Sequence, residues 1–187
     1  MIWRKQGLDL HLNDEPLPLL FLLMQKIALL SDTHNYLGPG IFKYLETSDQ
    51  IWHAGDIGTV MICDELRKIK PLTAVYGNID GQDIRKEYPR DQIFECEGVS
   101  VFMTHIGGYP GKYTPEVRRI LEENRPKLFI CGHSHILRVM YDKKLEHLHI
   151  NPGAAGIHGF HKIKTMVRFV LSDGNIKDLE AIELGNR

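Results

Sequence analysis

An α/β fold built on a parallel sheet is what the sequence predicts, and three features predict it. Short apolar runs alternate with segments of helical periodicity through the first half of the chain. Each of those runs breaks off in a polar or glycine-rich loop. The second half is richer in strand-like runs, with a single clear helix among them. Strand–helix alternation requires crossovers and so makes parallel neighbours, whereas runs joined by short turns make antiparallel ones.

Residues 25–30 (QKIALL) are the first expected strand, closed by Ser31-Asp32. Ile41, Phe42 and Leu45 place a helix within 38–47. The second strand, 49–53, ends in Ala54-Gly55-Asp56. Val60, Cys63, Leu66 and Ile69 share one face of a helix over 59–70, which Pro71 stops. The third strand, 72–76, ends in Gly77-Asn78. Further on, 91–95 and 98–103 flank Glu97-Gly98 as a hairpin. Pro115 falls in the first turn of a helix over 114–124, with Val117, Ile120 and Leu121 on one face. Residues 126–131 (PKLFIC) are a buried strand. Residues 137–141, 145–150, 164–171 and 175–182 are expected as antiparallel strands, and Ser172-Asp173-Gly174-Asn175 turns the last pair.

The 187 residues suit one domain with a real core, and 43% apolar with 25% charged residues is the composition of a soluble protein. The formal net charge of −1 supplies no basic excess, so a long nucleic acid is not an expected partner. Cys63, Cys96 and Cys131 are odd in number and outside any CxxC pair, which fits reduced thiols in a reducing cytosol. The apolar run at 17–24 is far short of the ~20 residues of a spanning helix. Asp9, Asp14 and Glu15 before it do not suit a signal peptide. A cytoplasmic location with no membrane partner is therefore expected. Residues 1–23 stand outside the strand–helix rhythm and end beside Met24. They are expected to be an extension, not native or not essential, ahead of a single domain over 24–187. The alternative is an ordered helix or strand that packs its leucines on that domain.

Five short motifs carry the chemistry: Asp32-Thr33-His34, Gly55-Asp56, Gly77-Asn78, Thr104-His105 and Gly132-His133-Ser134-His135. Each follows an apolar run, so each is expected where a strand meets a loop, and open α/β sheets build their sites there. Two carboxylates, one amide oxygen and four imidazoles suffice for two metal ions if one carboxylate bridges. In extended backbone, residues i and i+2 point the same way, which would converge Asp32 with His34 and His133 with His135. Glycine at 55, 77 and 132 is expected to let the backbone turn sharply beside each candidate ligand.

In that order, DTH, GD, GN, a lone TH and GHSH resemble the calcineurin-like metallophosphoesterase superfamily, and the small size resembles its compact YfcE-like phosphodiesterase branch. The resemblance spans residues 24 to about 182. It implies a four-layer α-β-β-α sandwich, two mixed sheets flanked by helices. It also implies that Asp32, His34 and His135 hold one metal, that Asn78, His105 and His133 hold a second, and that Asp56 bridges them. Asp56, Asn78 and His105 carry the catalytic expectation as well. The cofactors implied are two divalent metal ions, manganese foremost, with iron, zinc or nickel as alternatives, since the O/N donor set lacks thiolate.

Two such ions roughly 3.5–4 Å apart lower the pKa of water and draw charge from phosphate oxygens. Many members of the superfamily carry a histidine after the Gly-Asn pair, where it assists the leaving group. Here the segment is Gly77-Asn78-Ile79-Asp80, and Ile79 has no proton to give. A small phosphodiester with a good leaving group is thus the expected substrate.

The remaining histidines have structural readings. His53 is expected to be structural, and His147 and His149, alternating on a strand, to be exposed rather than ligating. Asp32 could instead cap the following helix. Asp80 is expected to orient a neighbour, and Cys131 to be buried. Asn151-Pro152-Gly153 reads equally as a turn or as a phosphate-touching loop. His158, His161 and Lys162 are candidates for the pocket rim. The leading function is a hydrolase of phosphoric esters, in homo-oligomeric or monomeric form. The alternative from another class is a metal-binding interaction scaffold of the same fold, as in a retromer-coat relative. Within enzymes the alternative is a nuclease or cyclic-nucleotide phosphodiesterase.

Overall fold

Continuous apolar runs on the inner strands demand burial of both sheet faces, and the computed structural model, which describes residues 24–160 and 162–187, meets that demand with two stacked sheets. In the first sheet, β1 (Gln25–Leu30), β2 (Gln50–His53) and β3 (Leu72–Ala74) run parallel. The crossovers between them pass through a 3₁₀ turn, α1 (Phe42–Glu46) and α2 (Val60–Ile69). β9 (Ile163–Ser172) and β10 (Asn175–Asn186) continue this sheet antiparallel, in the order β10-β9-β1-β2-β3.

The second sheet is built from β4 (Asp91–Cys96), β5 (Val99–Thr104), β6 (Leu128–Ile130), β7 (Leu137–Asp142) and β8 (His147–Pro152), in the order β4-β5-β6-β8-β7. β5, β6 and β8 are parallel, and β4 and β7 pair antiparallel at the two edges. The helix α4 (Pro115–Asn124) is the crossover from β5 to β6; Thr114 caps it by accepting the Val117 N–H at 3.3 Å.

Side-chain parity sorts the core into three layers. Ile27, Leu29, Trp52, Val101, Met103 and Ile130 meet between the sheets. Ala28, Leu30 and Ile51, from the opposite parity, pack with Leu45 and Leu66 under the first helical layer. Phe102 and Phe129 stack at 5.3 Å and pack against Val117 and Leu121 of α4. The four-layer sandwich follows: helices, sheet, sheet, helix.

Register positions the site. Leu30 pairs with His53 and His53 with Ala74, so β1, β2 and β3 end level with one another. Met103 pairs with Ile130, so β5 and β6 end level in the other sheet. Glu97-Gly98 and Asp173-Gly174 make the expected hairpin turns, each with two successive positive φ angles (49° and 73°, 51° and 71°).

Three expectations need correction. The helix α3 (Gln82–Glu87) was not foreseen; with Ile84 as its only buried residue it has no apolar periodicity to reveal it. No helix starts at Asp32, whose side chain instead accepts the His133 backbone N–H at 3.1 Å. His147 and His149 are buried, at 0% and 1% exposure, because β8 is an inner strand. Tyr113 and Phe129 cover its outer face, with ring centroids 5.4–5.9 Å from the two imidazoles. His147 Nε2 donates to Tyr113 Oη at 3.0 Å, and Tyr113 donates onward to Asp142 Oδ2 at 2.7 Å.

The candidate extension at residues 1–23 and the rim candidate His161 lie outside the described residues. Among the described residues no helix is long and apolar enough to cross a membrane.

Burial pushes the pKa of both His53 and His149 down to about 4, from an ordinary 6.5. The unfolded chain therefore takes up these protons first as pH falls. The stability they support is complete above about 6.5 and is lost progressively as pH drops towards 4, at up to about 1.4 kcal/mol per pH unit for each group. Urea denaturation of the metal-free protein between pH 7.5 and 4 is expected to show this decline. His149→Phe is expected to flatten it, and an unchanged slope in that variant would contradict the assignment.

Candidate metal centre

The level strand ends of the two sheets bring five loops together. Backbone bonds lock them in pairs. Asp32, His34 and Asn35 donate their N–H groups to Gly55, Asp56 and Ile57 carbonyls at 3.0–3.1 Å, zipping the first loop to the second. Gly132 N–H donates to His105 O at 3.0 Å, joining the loops of the other sheet. Across the sheets, His133 N–H reaches Asp32 Oδ2, and His105 Nδ1 donates to Ala54 O at 2.8 Å.

The means of convergence differs from the expected one. Asp32, His34, Asp56, His133 and His135 all have φ between 47° and 67°, the left-handed region, rather than extended backbone with alternating side chains. Non-glycine residues seldom adopt it, and such strain persists only where the surroundings enforce it. The loop-to-loop bonds supply that enforcement.

The glycines also act in a different way. Gly55 has φ +92°, as a sharp turn requires. Gly77 and Gly132 are needed for close approach instead. A Cβ at 77 would stand 2.0 Å from Asp56 Oδ1, and one at 132 would stand 2.0 Å from Ser31 Oγ.

The structure gathers the seven candidates into two adjoining groups. Asp32, His34 and His135 form one, and Asp56, His105 and His133 the other; within each, the donor atoms lie within 4.8 Å of one another. Asn78 joins the second group, its Oδ1 3.1 Å from His105 Nε2. Asp56 stands between them, Oδ1 3.2 Å from His105 Nε2 and Oδ2 3.7 Å from His34 Nε2.

The donor set fits divalent cations. His105 must carry its proton on Nδ1, because Ala54 O can only accept. Its Nε2 lone pair then faces the Asp56 and Asn78 oxygens at 3.1–3.2 Å, an arrangement of acceptors that needs a positive centre among them. In the other group, His135 Nε2 lies 3.1 Å from Asp32 Oδ1 and 3.3 Å from His34 Nε2. Ligand atoms each about 2.0–2.2 Å from one ion stand about 3.0–3.5 Å apart, and these separations match.

Burial opposes ionisation of Asp56, but hydrogen bonds from His105 and the Ile79 N–H outweigh it and hold the carboxyl below its ordinary pKa. Burial likewise opposes protonation of His105, and the Asp56 carboxylate outweighs it, raising the imidazole's pKa. A proton is thus held where a cation would sit. Burial lowers the pKa of His34 and His133, favouring the neutral imidazoles that bind metals.

Two buried groups behind the loops were only partly legible. His53 is fully buried; its Nδ1 accepts the Gly55 N–H at 3.2 Å and its Nε2–H donates to Thr33 Oγ1 at 2.9 Å. Thr33 in turn donates to Ile57 O at 2.9 Å, so the expected structural role is a fully paired one. Asp80 accepts from Gly58 N–H and Gly77 N–H, both at 2.7 Å, and joins the second loop to the third. Asn151 belongs to the support too, donating to Gly132 O at 2.7 Å and Ser134 Oγ at 3.1 Å; the Asn-Pro-Gly segment buttresses the GHSH loop. Cys131 is buried beside it, as expected. His158, a rim candidate, has its ring 5.5 Å from that of His34.

Comparison with known proteins agrees with this geometry. The family model of the calcineurin-like phosphoesterase superfamily domain matches residues 25–174. The chain is 30% identical over 166 residues to a probable metallophosphoesterase of Methanothermobacter thermautotrophicus, covering 85% of this chain and 92% of the relative. Among solved structures, an archaeal phosphodiesterase superposes with a TM-score of 0.63 at 25% identity, covering 84% of this chain and 99% of its own. Vacuolar Protein Sorting 29 from Cryptosporidium parvum shares the fold, with a TM-score of 0.60 at 16% identity over 87% of this chain and 98% of its own. This chain belongs to the calcineurin-like phosphoesterase superfamily. Within it, the chain is a metallophosphoesterase, an enzyme that hydrolyses phosphoric esters with the help of divalent metal.

The approach at Gly77 yields a sharp test. Gly77→Ala would push the Asp56 carboxylate out of place without opening the core. Divalent-cation affinity by isothermal titration calorimetry is expected to fall about 10–100-fold, with the far-UV circular dichroism spectrum retained. Wild-type affinity in this variant would show that Asp56 does not need its observed position.

Proposed function

We propose that this protein is a phosphodiesterase working with two divalent cations shared through Asp56. The observation that supports it most directly is the pair of acceptor clusters, one on each side of the Asp56 carboxylate, each with separations suited to one ion. Asp32, His34 and His135 would hold the first ion, and Asn78, His105 and His133 the second. Bound there, the ions supply Lewis acidity, which lowers the pKa of water and offsets charge on phosphate oxygens. Mixed oxygen and nitrogen donors without thiolate suit manganese, iron, zinc or nickel, and metal supply decides among them. Similarity to the archaeal phosphodiesterase supports the diester specificity.

The protein's own groups set the remaining terms. His105 is oriented by Ala54 O, so its Nε2 faces Asp56 and Asn78. The Ile79 side chain is 46% exposed and cannot donate a proton; its contribution is a backbone N–H, donated to Asp56 Oδ1 at 3.0 Å. Asp56, Asn78 and His105 would act as ligands closest to the reacting phosphate. Retention of the whole donor set distinguishes this reading from that of a pure interaction scaffold, which has no need of it.

Asp56→Asn is expected to reduce Mn²⁺-dependent hydrolysis of bis(4-nitrophenyl) phosphate about a hundredfold or more, with the metal content of the variant falling below two ions per chain. Full activity in the variant, or a metal-loaded wild-type protein inert towards every phosphoester tried, would overturn the proposal. Ile79 generates a second expectation. Across aryl and alkyl diesters, the rate of the chemical step should fall steeply as the leaving group's pKa rises. Equal rates under conditions where chemistry limits turnover would reveal a proton donor.

A further inference from the structure

Two cavities flank the candidate centre, and they meet. The larger, about 670 Å³, opens beside Asn78 and His105 and is walled by Tyr76 and Arg85. The smaller, about 260 Å³, opens beside His133 and Ser134 and is walled by Tyr109, Arg138 and His149. Ile106 and Thr114 line both, forming the ridge between them. A phosphodiester has two arms on one phosphorus. A cleft divided over His105 and His133 has the shape to part them.

The smaller cavity is built to bind something polar. His149 is 1% exposed, and among the described residues neither ring nitrogen has a hydrogen-bond partner. A buried imidazole without partners forgoes about 1–3 kcal/mol for each unmet group, a cost that a guest hydroxyl reaching it would offset. Arg138 lies over the Tyr109 ring at 4.1 Å, and among the described residues no carboxylate forms an ion pair with it. Among the described residues its guanidinium edges are donors without an acceptor. Ser134 Oγ, held by Asn151, adds a hydroxyl at the mouth.

The volume is below the ~300 Å³ at which drug-sized pockets begin, so the guest is compact. Arginine donates only, neutral histidine donates and accepts, and Ser134 Oγ, which already accepts from Asn151 and from the Ile136 N–H, has its hydrogen left to donate. A polyhydroxylated alcohol meets all three, and a plain alkyl chain meets none.

Resting on the phosphodiesterase reading above, we infer that the cavity walled by Arg138, Tyr109 and His149 is the subsite for the retained arm of the substrate, and that this arm is a compact polyol such as glycerol. The leaving arm lies in the larger cavity. Water's oxygen forms the new bond to phosphorus and the bond from phosphorus to the leaving oxygen breaks. The polyol stays esterified on the phosphate monoester product, and the proton released from water goes to solvent or to the departing oxygen.

The test compares two diesters with one leaving group: 4-nitrophenyl phosphate esterified to glycerol, and the same esterified to n-butanol. The Mn²⁺-loaded full chain is expected to prefer the glycerol ester about tenfold or more in kcat/KM, chiefly through KM. Arg138→Ala and His149→Phe are each expected to reduce that preference to within about twofold. Arg119→Ala, on the exposed face of α4 and lining neither cavity, should keep it. His149 is buried and its variant could fail to fold; Arg138→Ala is half-exposed and stands as the independent arm. Equal kcat/KM for the two esters in the wild type, or a preference that survives Arg138→Ala, overturns the subsite while leaving the phosphodiesterase reading intact. Absence of hydrolysis of either ester would overturn both.

Discussion

The constraint on which the site depends is the confinement of the Asp56 carboxylate. One oxygen is held by the Ile79 N–H and faces His105; the other is turned towards His34. Its backbone is left-handed, and the floor beneath it is open only because residue 77 has no side chain. Burial alone would raise the pKa of this group. The surrounding donors keep it a carboxylate, and a carboxylate at that place organises imidazoles from both sheets. Asp80, His53 and Asn151 make sense in this light. Each satisfies loop backbone that would otherwise relax and let the carboxylate drift.

The strain is localised rather than general. The strands that deliver the loops pair in regular register, and β1, β2, β5 and β6 among them are buried on both faces. The positive φ angles at five candidate ligands begin just past the strand ends. Rigid sheets and strained loops are complementary: the dry layer containing Trp52, Met103 and Ile130 keeps the two sets of strand ends in fixed relation, so the loops have nowhere to unwind. Packing energy far from the site is thus what holds unfavourable backbone within it.

Much of this was legible in the sequence because the signals were local. Short apolar runs marked the strands, Pro71 and Pro115 marked helix boundaries, and Glu97-Gly98 and Asp173-Gly174 marked tight turns. The ordered motifs marked the loops that meet. What escaped was relational. The burial of His147 and His149 depends on β8 lying between β6 and β7 beneath Tyr113, and nothing in the alternation of two histidines reports a cover supplied from more than thirty residues away. α3 was silent because one buried isoleucine makes no periodic pattern. Of the dipeptide-spaced candidates, Asp32 and His34 fall in one group but His133 and His135 in two, and left-handed turns rather than extended alternation aim all four. The partners of Asp80 and the ridge at Ile106 and Thr114 arise only from the three-dimensional arrangement.

The span of the cluster along the chain has a consequence for assembly. Asp32 and His133 meet across 101 positions of sequence, and His34 and His135 across the same interval. Neither group of donors is complete within one sheet: Asp32 and His34 come from the first, His135 from the second. A half-made chain emerging from the ribosome therefore offers only scattered imidazoles and carboxylates with no chelating geometry. Closing so long a loop is slow, and its reward arrives only when the sheets dock. Metal capture by these residues would accordingly come late in the biogenesis of this protein, an endorsement of the finished fold rather than a seed for it.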